Sequence, residues 1–258
     1  MGEPKIVITG TGRAGTTLLV QVLDELGLDT GLSDGKVTPY MHGVRAGLEC
    51  RVDDPEAPTV VKDMTLGFRM RAVLEAGEVD IEHVIIPTRR LDIAAASRVR
   101  AAGYGRLPFR RGALTGTFHA TAQMRVLEAM RTEIVSALTE FGVPCTELEF
   151  PRFATDATYT YERLGFLAPD ASLDDVKAAL DRCVREDMIH ESPLSGREVW
   201  RTRLTTAWMA MVRYPIARVR RRLDPDASEA RMRTSIAAAK QREAREAEQR
   251  AGGSPPGG

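Results

Sequence analysis

No stretch of the 258 residues approaches the roughly 18 consecutive apolar residues of a membrane-spanning helix. Met1-Gly2-Glu3-Pro4-Lys5 passes directly into Ile6-Val7-Ile8, with no signal-peptide apolar region, so a cytoplasmic protein is expected. Cysteine is scarce. Cys50, Cys145 and Cys183 are odd in number and far apart, which excludes a disulfide framework and a zinc knuckle. Buried free thiols are the expectation. An excess of one charge is also missing: 36 Lys and Arg balance 36 Asp and Glu, so no global field draws the chain to nucleic acid. No repeat period is visible. Lysine is confined to Lys5, Lys36, Lys62, Lys177 and Lys240 among many arginines and alanines, a composition typical of a GC-rich genome.

What remains is ordinary globular material, 43% hydrophobic and 28% charged, long enough for one α/β domain with an appendage. Lys5 to Thr9 is a β-branched run, and Leu18, Leu19, Val22, Leu23 and Leu26 follow at helical spacing until Gly27. Residues 30–58 show little periodicity beyond a short helical stretch around Val44 to Cys50, and read as a lid or binding loop. Thr59 to Lys62, His83 to Pro87 and Val143 to Phe150 read as further strands. Helices are expected over Leu66 to Ala76, Asp92 to Ala102, Phe118 to Phe141, Asp156 to Leu164 and Leu173 to Val184, with Asp92 as an N-cap. Apolar strands each followed by a helix imply a parallel sheet covered on both faces.

The character changes near residue 192, which divides the chain into a domain over 1–192, an Arg-rich helical extension over 193–224 and a polar, then disordered tail over 225–258. Eight arginines between Arg197 and Arg222 accompany Trp200, Leu204 and Trp208, and Pro215 should break or kink a helix there. The plain reading is a helix packed on the domain. Self-association and a peripheral contact with acidic lipid are the alternatives. A nucleic-acid partner is not expected, because the aromatics are not interleaved as stacking platforms.

The segment Gly10-Thr11-Gly12-Arg13-Ala14-Gly15-Thr16-Thr17 lies between an expected strand and an expected helix, where backbone N–H groups and a helix N-terminus converge on an anion. Gly10 and Gly15 have nucleotide P-loop spacing, but Thr16 stands where that motif carries lysine, which argues against ordinary ATP or GTP hydrolysis. Arg13 supplies a cation instead.

The run Gly12-Arg13-Ala14-Gly15-Thr16-Thr17-Leu18-Leu19 resembles the 5′-phosphosulfate loop of PAPS-dependent sulfotransferases, bacterial members in particular. In that family an arginine leaving a strand and a serine eight residues later grip the donor's 3′-phosphate. Arg89 and Ser97 have that spacing, and the late segments around Cys145 to Arg152 and Tyr161 to Leu167 are similar too. Departures are equally plain. Met64 occupies the place of a histidine that is general base in cytosolic members, Leu91 replaces a common proline, and the late phosphate clamp is imitated only by Arg110-Arg111-Gly112, too early in the chain.

The resemblance implies a P-loop-type three-layer α/β fold, with a parallel sheet of about four or five strands flanked by helices and a C-terminal helical extension. It implies PAPS (3′-phosphoadenosine 5′-phosphosulfate) as co-substrate. Gly12, Arg13, Ala14, Gly15, Thr16, Thr17, Arg89 and Ser97 would bind it, and a small metabolite, glycan or lipid with a hydroxyl or amine would be the acceptor. Lys62, ending its strand, and Arg13 would meet charge on the leaving oxygen. Asp63 is the first candidate base, His42 the second and His119 the third. No metal is expected. A small-molecule kinase using ATP, and a nucleotide-binding protein without turnover, are the alternatives.

Overall fold

Three apolar runs and one amphipathic run build the sheet in the computed structural model, which describes residues 3–33, 48–101, 120–185, 189, 193–208 and 211. They are β1 (Lys5–Ile8), β2 (Val60–Lys62), β3 (Ile81–Thr88) and β4 (Cys145–Glu149). All pairings are parallel, in the order β2-β1-β3-β4. The central strands β1 and β3 are therefore the apolar ones, since both their faces are covered. At the edge, β4 buries Leu148 and leaves Cys145 and Glu149 exposed.

Alternation along the strands creates two cores. Ile6, Ile8, Val60, Ile85 and Leu148 join Leu19 and Leu23 of α1 (Thr16–Glu25), Phe153 of α5 (Arg152–Thr155) and Tyr159 of α6 (Ala157–Leu164). Val7, Val61, Val84 and Ile86 join Met70 of α2 (Met70–Ala76) and Ile134 and Leu138 of α4 (Ala120–Phe141). Helix, sheet, helix gives three layers. Two further contacts complete them: α3 (Leu91–Ala101) meets α4 through Ala94, Ala95 and Leu127, and α7 (Leu173–Cys183) meets α1 through Val22, Val176 and Leu180. A reciprocal capping box between Ser172 and Asp175 starts α7, and Asp156 caps α6 by accepting from the Tyr159 N–H at 2.9 Å.

Several expectations need correcting. The helix read over Leu66 to Ala76 is split into a 3-10 turn, Met64–Phe68, and α2, with Arg69 at φ −140° between them. Asp63 caps the turn, and a Cβ on Gly67 would overlap the Met130 side chain of α4. Asp92 lies inside the first turn of α3 rather than capping it. Leu48 to Cys50 is not helical. All three cysteines are free, as expected, but none is fully buried: Cys145 is exposed and the others are intermediate. Partial burial still pushes each thiol above its usual pKa, so none is an activated nucleophile.

The chain divides into two compact units, Met1–Arg203 and Leu204–Gly258. One further helix, α8 (Gly196–Trp208), spans that boundary. Residues 209–210 and 212–224 of the Arg-rich extension and all of the tail, like residues 34–47 and 102–119, lie outside the described residues. Among those described, no helix is long and apolar enough to cross a membrane.

Phe153 is fully buried with its ring centroid 5.6 Å from that of Phe150, directly under the turn that follows β1. Phe153→Ala should cost about 3–5 kcal/mol, read as a lower urea midpoint at unchanged slope. A loss below about 1 kcal/mol would mean that this core collapses around the cavity instead of depending on the ring.

Candidate functional site

Between β1 and α1 the backbone turns through a run of positive φ values: Gly10 at 140°, Gly12 at 67°, Arg13 at 60° and Gly15 at 78°. Glycine is required at Gly15 twice over. Its φ is left-handed, and a Cβ there would lie 2.6 Å from Phe150 Cδ2 and 2.8 Å from Phe153 Cζ. A Cβ on Gly12 would meet the Arg98 guanidinium at 2.7 Å. Gly15 then serves as N-cap of α1 without any side-chain hydrogen bond covering the first turn. The N–H groups of that turn are what such a loop offers to an anion.

Arg13 is not glycine, and a left-handed backbone there costs on the order of 1–2 kcal/mol. Two distant residues hold it. Arg89, just beyond β3, donates from Nη1 to the Arg13 carbonyl at 3.0 Å, and Arg13 Nε donates to Ser97 Oγ in α3 at 3.1 Å. The Arg89 guanidinium also lies over the Phe150 ring, 4.8 Å from its centroid. Arg98 donates from Nη2 to the Thr11 carbonyl. On the β2 side, Lys62 Nζ donates to Thr17 Oγ1 at 3.1 Å. Residues from the carboxyl ends of three strands and from α3 thus gather on one loop, where ligands bind in open parallel sheets.

The electrostatics are those of crowded, buried cations. The Lys62 side chain is 1% exposed, and burial lowers its pKa; Glu49 opposes that shift at 3.5 Å, while Arg13 adds to it. Burial, and then the neighbouring Arg13, push Arg98 down to about 10. Arg98 stays protonated near neutral pH, and the charged form of both groups is disfavoured. Each would be relieved by an anion placed between them, since an opposite charge favours the protonated form.

Every binding residue expected from the loop lies in this cluster. The Ala14 side chain is buried in the core, leaving only its backbone for a ligand, and Thr16 is largely buried at the helix start. Arg89 and Ser97 are drawn together through Arg13 rather than through each other.

Asp63 is where the sequence reading needs correction. It is 2% exposed, and its carboxylate accepts from Val52 N at 3.2 Å, Thr65 N at 2.8 Å, Thr65 Oγ1 at 2.6 Å and Arg69 Nη2 at 2.7 Å. With its lone pairs spent, it is an anchor and a cap, not a base with an oxygen facing an acceptor. His42 and His119 lie outside the described residues. His83 is structural, its Nε2 2.9 Å from Thr146 Oγ1 and its ring against Phe166.

Sequence reasoning missed Arg98, Glu49 and Phe150. Arg98 follows Ser97 directly and could have been suspected, because an arginine among Ala94, Ala95, Ala96 and Val99 needs a partner to be buried. Glu49 carried no signal in an unpatterned stretch. Beyond Arg89, an open cleft of about 570 Å³ runs over the ends of β3 and β4, lined by Arg89, Arg131, Glu147, Glu149 and Tyr159 among others. Its floor is fixed by the Tyr159 hydroxyl, which accepts from the Glu149 N–H at 3.0 Å.

Asp63→Asn should therefore destabilise the protein by about 3 kcal/mol through loss of a buried ion pair, measured by urea unfolding. A variant that keeps its stability while losing all turnover would restore Asp63 as the base.

Compared with protein-family models, curated proteins and solved structures, the chain matches none.

Proposed function

We propose that the chain is a P-loop sulfotransferase, moving a sulfuryl group from PAPS to a hydroxyl or amine of a small metabolite, glycan or lipid. The observation that carries this reading is the convergence on Arg13: Ser97 at 3.1 Å and Arg89 at 3.0 Å, contacts that span 84 and 76 residues of sequence. A turn that merely joined a strand to a helix would have no need of so many cations.

In this reading Gly12, Arg13, Ala14, Gly15, Thr16 and Thr17 hold the 5′ end of the donor with backbone N–H groups and hydroxyls. Arg89 and Ser97 take the 3′-phosphate, where the arginine fork gives charge-assisted bonds. The cleft beyond Arg89 offers room for the nucleoside. Arg13 and Lys62 stabilise negative charge as it grows on the leaving phosphate oxygen, a contribution that depends on their being fixed before reaction. Thr16 in the place of the P-loop lysine speaks against a kinase. One observation favours a second reading, a nucleotide- or anion-binding protein without turnover: the candidate base nearest Lys62 is fully engaged elsewhere.

Adenosine 3′,5′-bisphosphate should raise the melting temperature far more than AMP, without magnesium. Arg89→Ala should weaken the bisphosphate about 10- to 100-fold and erase most of its advantage over AMP. A shift only with ATP and magnesium would favour the kinase. Sulfuryl transfer from PAPS to a panel of acceptors separates the enzyme from the binding protein.

Lys62 gives a pH signature. Its folded-state pKa lies below the ordinary lysine value, so between the two the unfolded chain binds more protons, and this residue's contribution to stability rises with pH across that window. A bound phosphate raises the Lys62 pKa again. Binding should then take up a proton in the same window, and affinity should fall as pH rises through it. Calorimetry in buffers of different ionisation enthalpy measures the uptake, and Lys62→Met should abolish it. An uptake that persists in Lys62→Met would assign the effect to Arg98.

A further inference from the structure

We infer that Glu49 is an exchangeable counter-ion: its carboxylate neutralises Lys62 while the site is empty, and a bound anion must displace it. This sets a charge threshold for ligands and makes Glu49 a specificity-determining residue. The inference rests on the anion site proposed above, not on which reaction follows there.

The ion pair is built in, not incidental. Glu49 Oε1 stands 3.5 Å from Lys62 Nζ, with side chains 19% and 1% exposed. Its position is imposed by its neighbours on both sides. Leu48 is buried in the core that contains β1 and α1, at a left-handed φ of 56°. The Cys50 N–H donates to the Lys62 carbonyl at 3.1 Å, and the Val52 N–H donates to the buried Asp63 carboxylate. The segment from Leu48 to Val52 is thus pinned to the end of β2, and Glu49 has little choice but to face the ammonium group.

Lys62 Nζ also bonds Thr17 Oγ1, on the second residue of α1. A phosphate cradled at the start of α1 would lie close to the same ammonium group. Two negative groups cannot share one cation at that range without repulsion; at 4 Å, two unit charges near a protein surface repel strongly. Burial makes the Lys62 charge costly, and an anion close to it, whether Glu49 or a ligand, lowers that cost. The carboxylate is singly charged and partly exposed, which lets it yield to a doubly charged phosphate. Weakly charged anions lack the charge to replace it.

The test uses the full chain, adenosine 3′,5′-bisphosphate and inorganic pyrophosphate as probes, and the variants Glu49→Gln, Lys62→Met and their double mutant. Glu49→Gln should lower the melting temperature of the ligand-free protein. It should also bind both probes roughly 3- to 30-fold more tightly, because a competing charge has gone. That gain should shrink towards nothing in the Lys62→Met background. Unchanged or weaker probe binding in Glu49→Gln would overturn the exchange and leave Glu49 a structural residue, even where the wild type binds well. If the wild type binds pyrophosphate but not the bisphosphate, the nucleotide reading fails, and the exchange is still decided by pyrophosphate. Binding of neither probe would overturn both.

Discussion

Like charges held close together out of water are the constraint from which the rest of this site follows. Arg13, Lys62 and Arg98 are near enough that Arg13 shifts the pKa of both others, and Lys62 and Arg98 are themselves largely buried. Such a cluster is unfavourable on its own account, since burial penalises every charge and each cation penalises its neighbours. It persists because rigid parts hold each member. Arg98 is tied to the Thr11 carbonyl, Lys62 to Thr17 and Glu49, and Arg13 to Ser97. Held in this way, the cations would have little reorganisation left to do towards an anion of the kind proposed, which is the condition under which electrostatic stabilisation is largest.

The hydrophobic layers under the loop serve the same end. Phe150 and Phe153 close against the space where Gly15 would carry a Cβ, and Phe150 also supports the Arg89 guanidinium. The turn is clamped from below by rings and from the side by hydrogen bonds. Its left-handed residues, Arg13 included, are held by surroundings that over-determine them. A side chain with two tasks, such as Phe150, couples the core of one face to the loop above it.

Much of this was legible in the residues. The β-branched runs and the 3.6-residue spacing in α1, α4 and α7 marked elements whose apolar pattern leaves no alternative, and the parallel order followed from strands alternating with helices. The loop was legible because its glycines, cation and threonines are local to one another. Arg89 and Ser97 were found only through family resemblance, since nothing in their own neighbourhoods tells that they meet at Arg13. Glu49 and Arg98 stayed hidden for a related reason. Their significance comes from contacts across 13 and 87 residues, which no periodicity encodes. The break at Arg69 has no counterpart in the local apolar pattern.

Lys62 and Asp63 show why adjacency in sequence misleads about chemistry. At the end of β2 successive side chains turn to opposite sides. Lys62 turns to the loop and reaches Thr17, while Asp63 turns away and binds Val52, Thr65 and Arg69. The two are nevertheless linked through Glu49. By holding Val52, Asp63 helps dock the segment that brings Glu49 to Lys62, with the Cys50 N–H on the Lys62 carbonyl as the second tie. A carboxylate therefore does reach the lysine, but it comes from the preceding loop and not from the next residue. Removing Asp63 would loosen the segment that carries Glu49, and through it the pairing of Lys62.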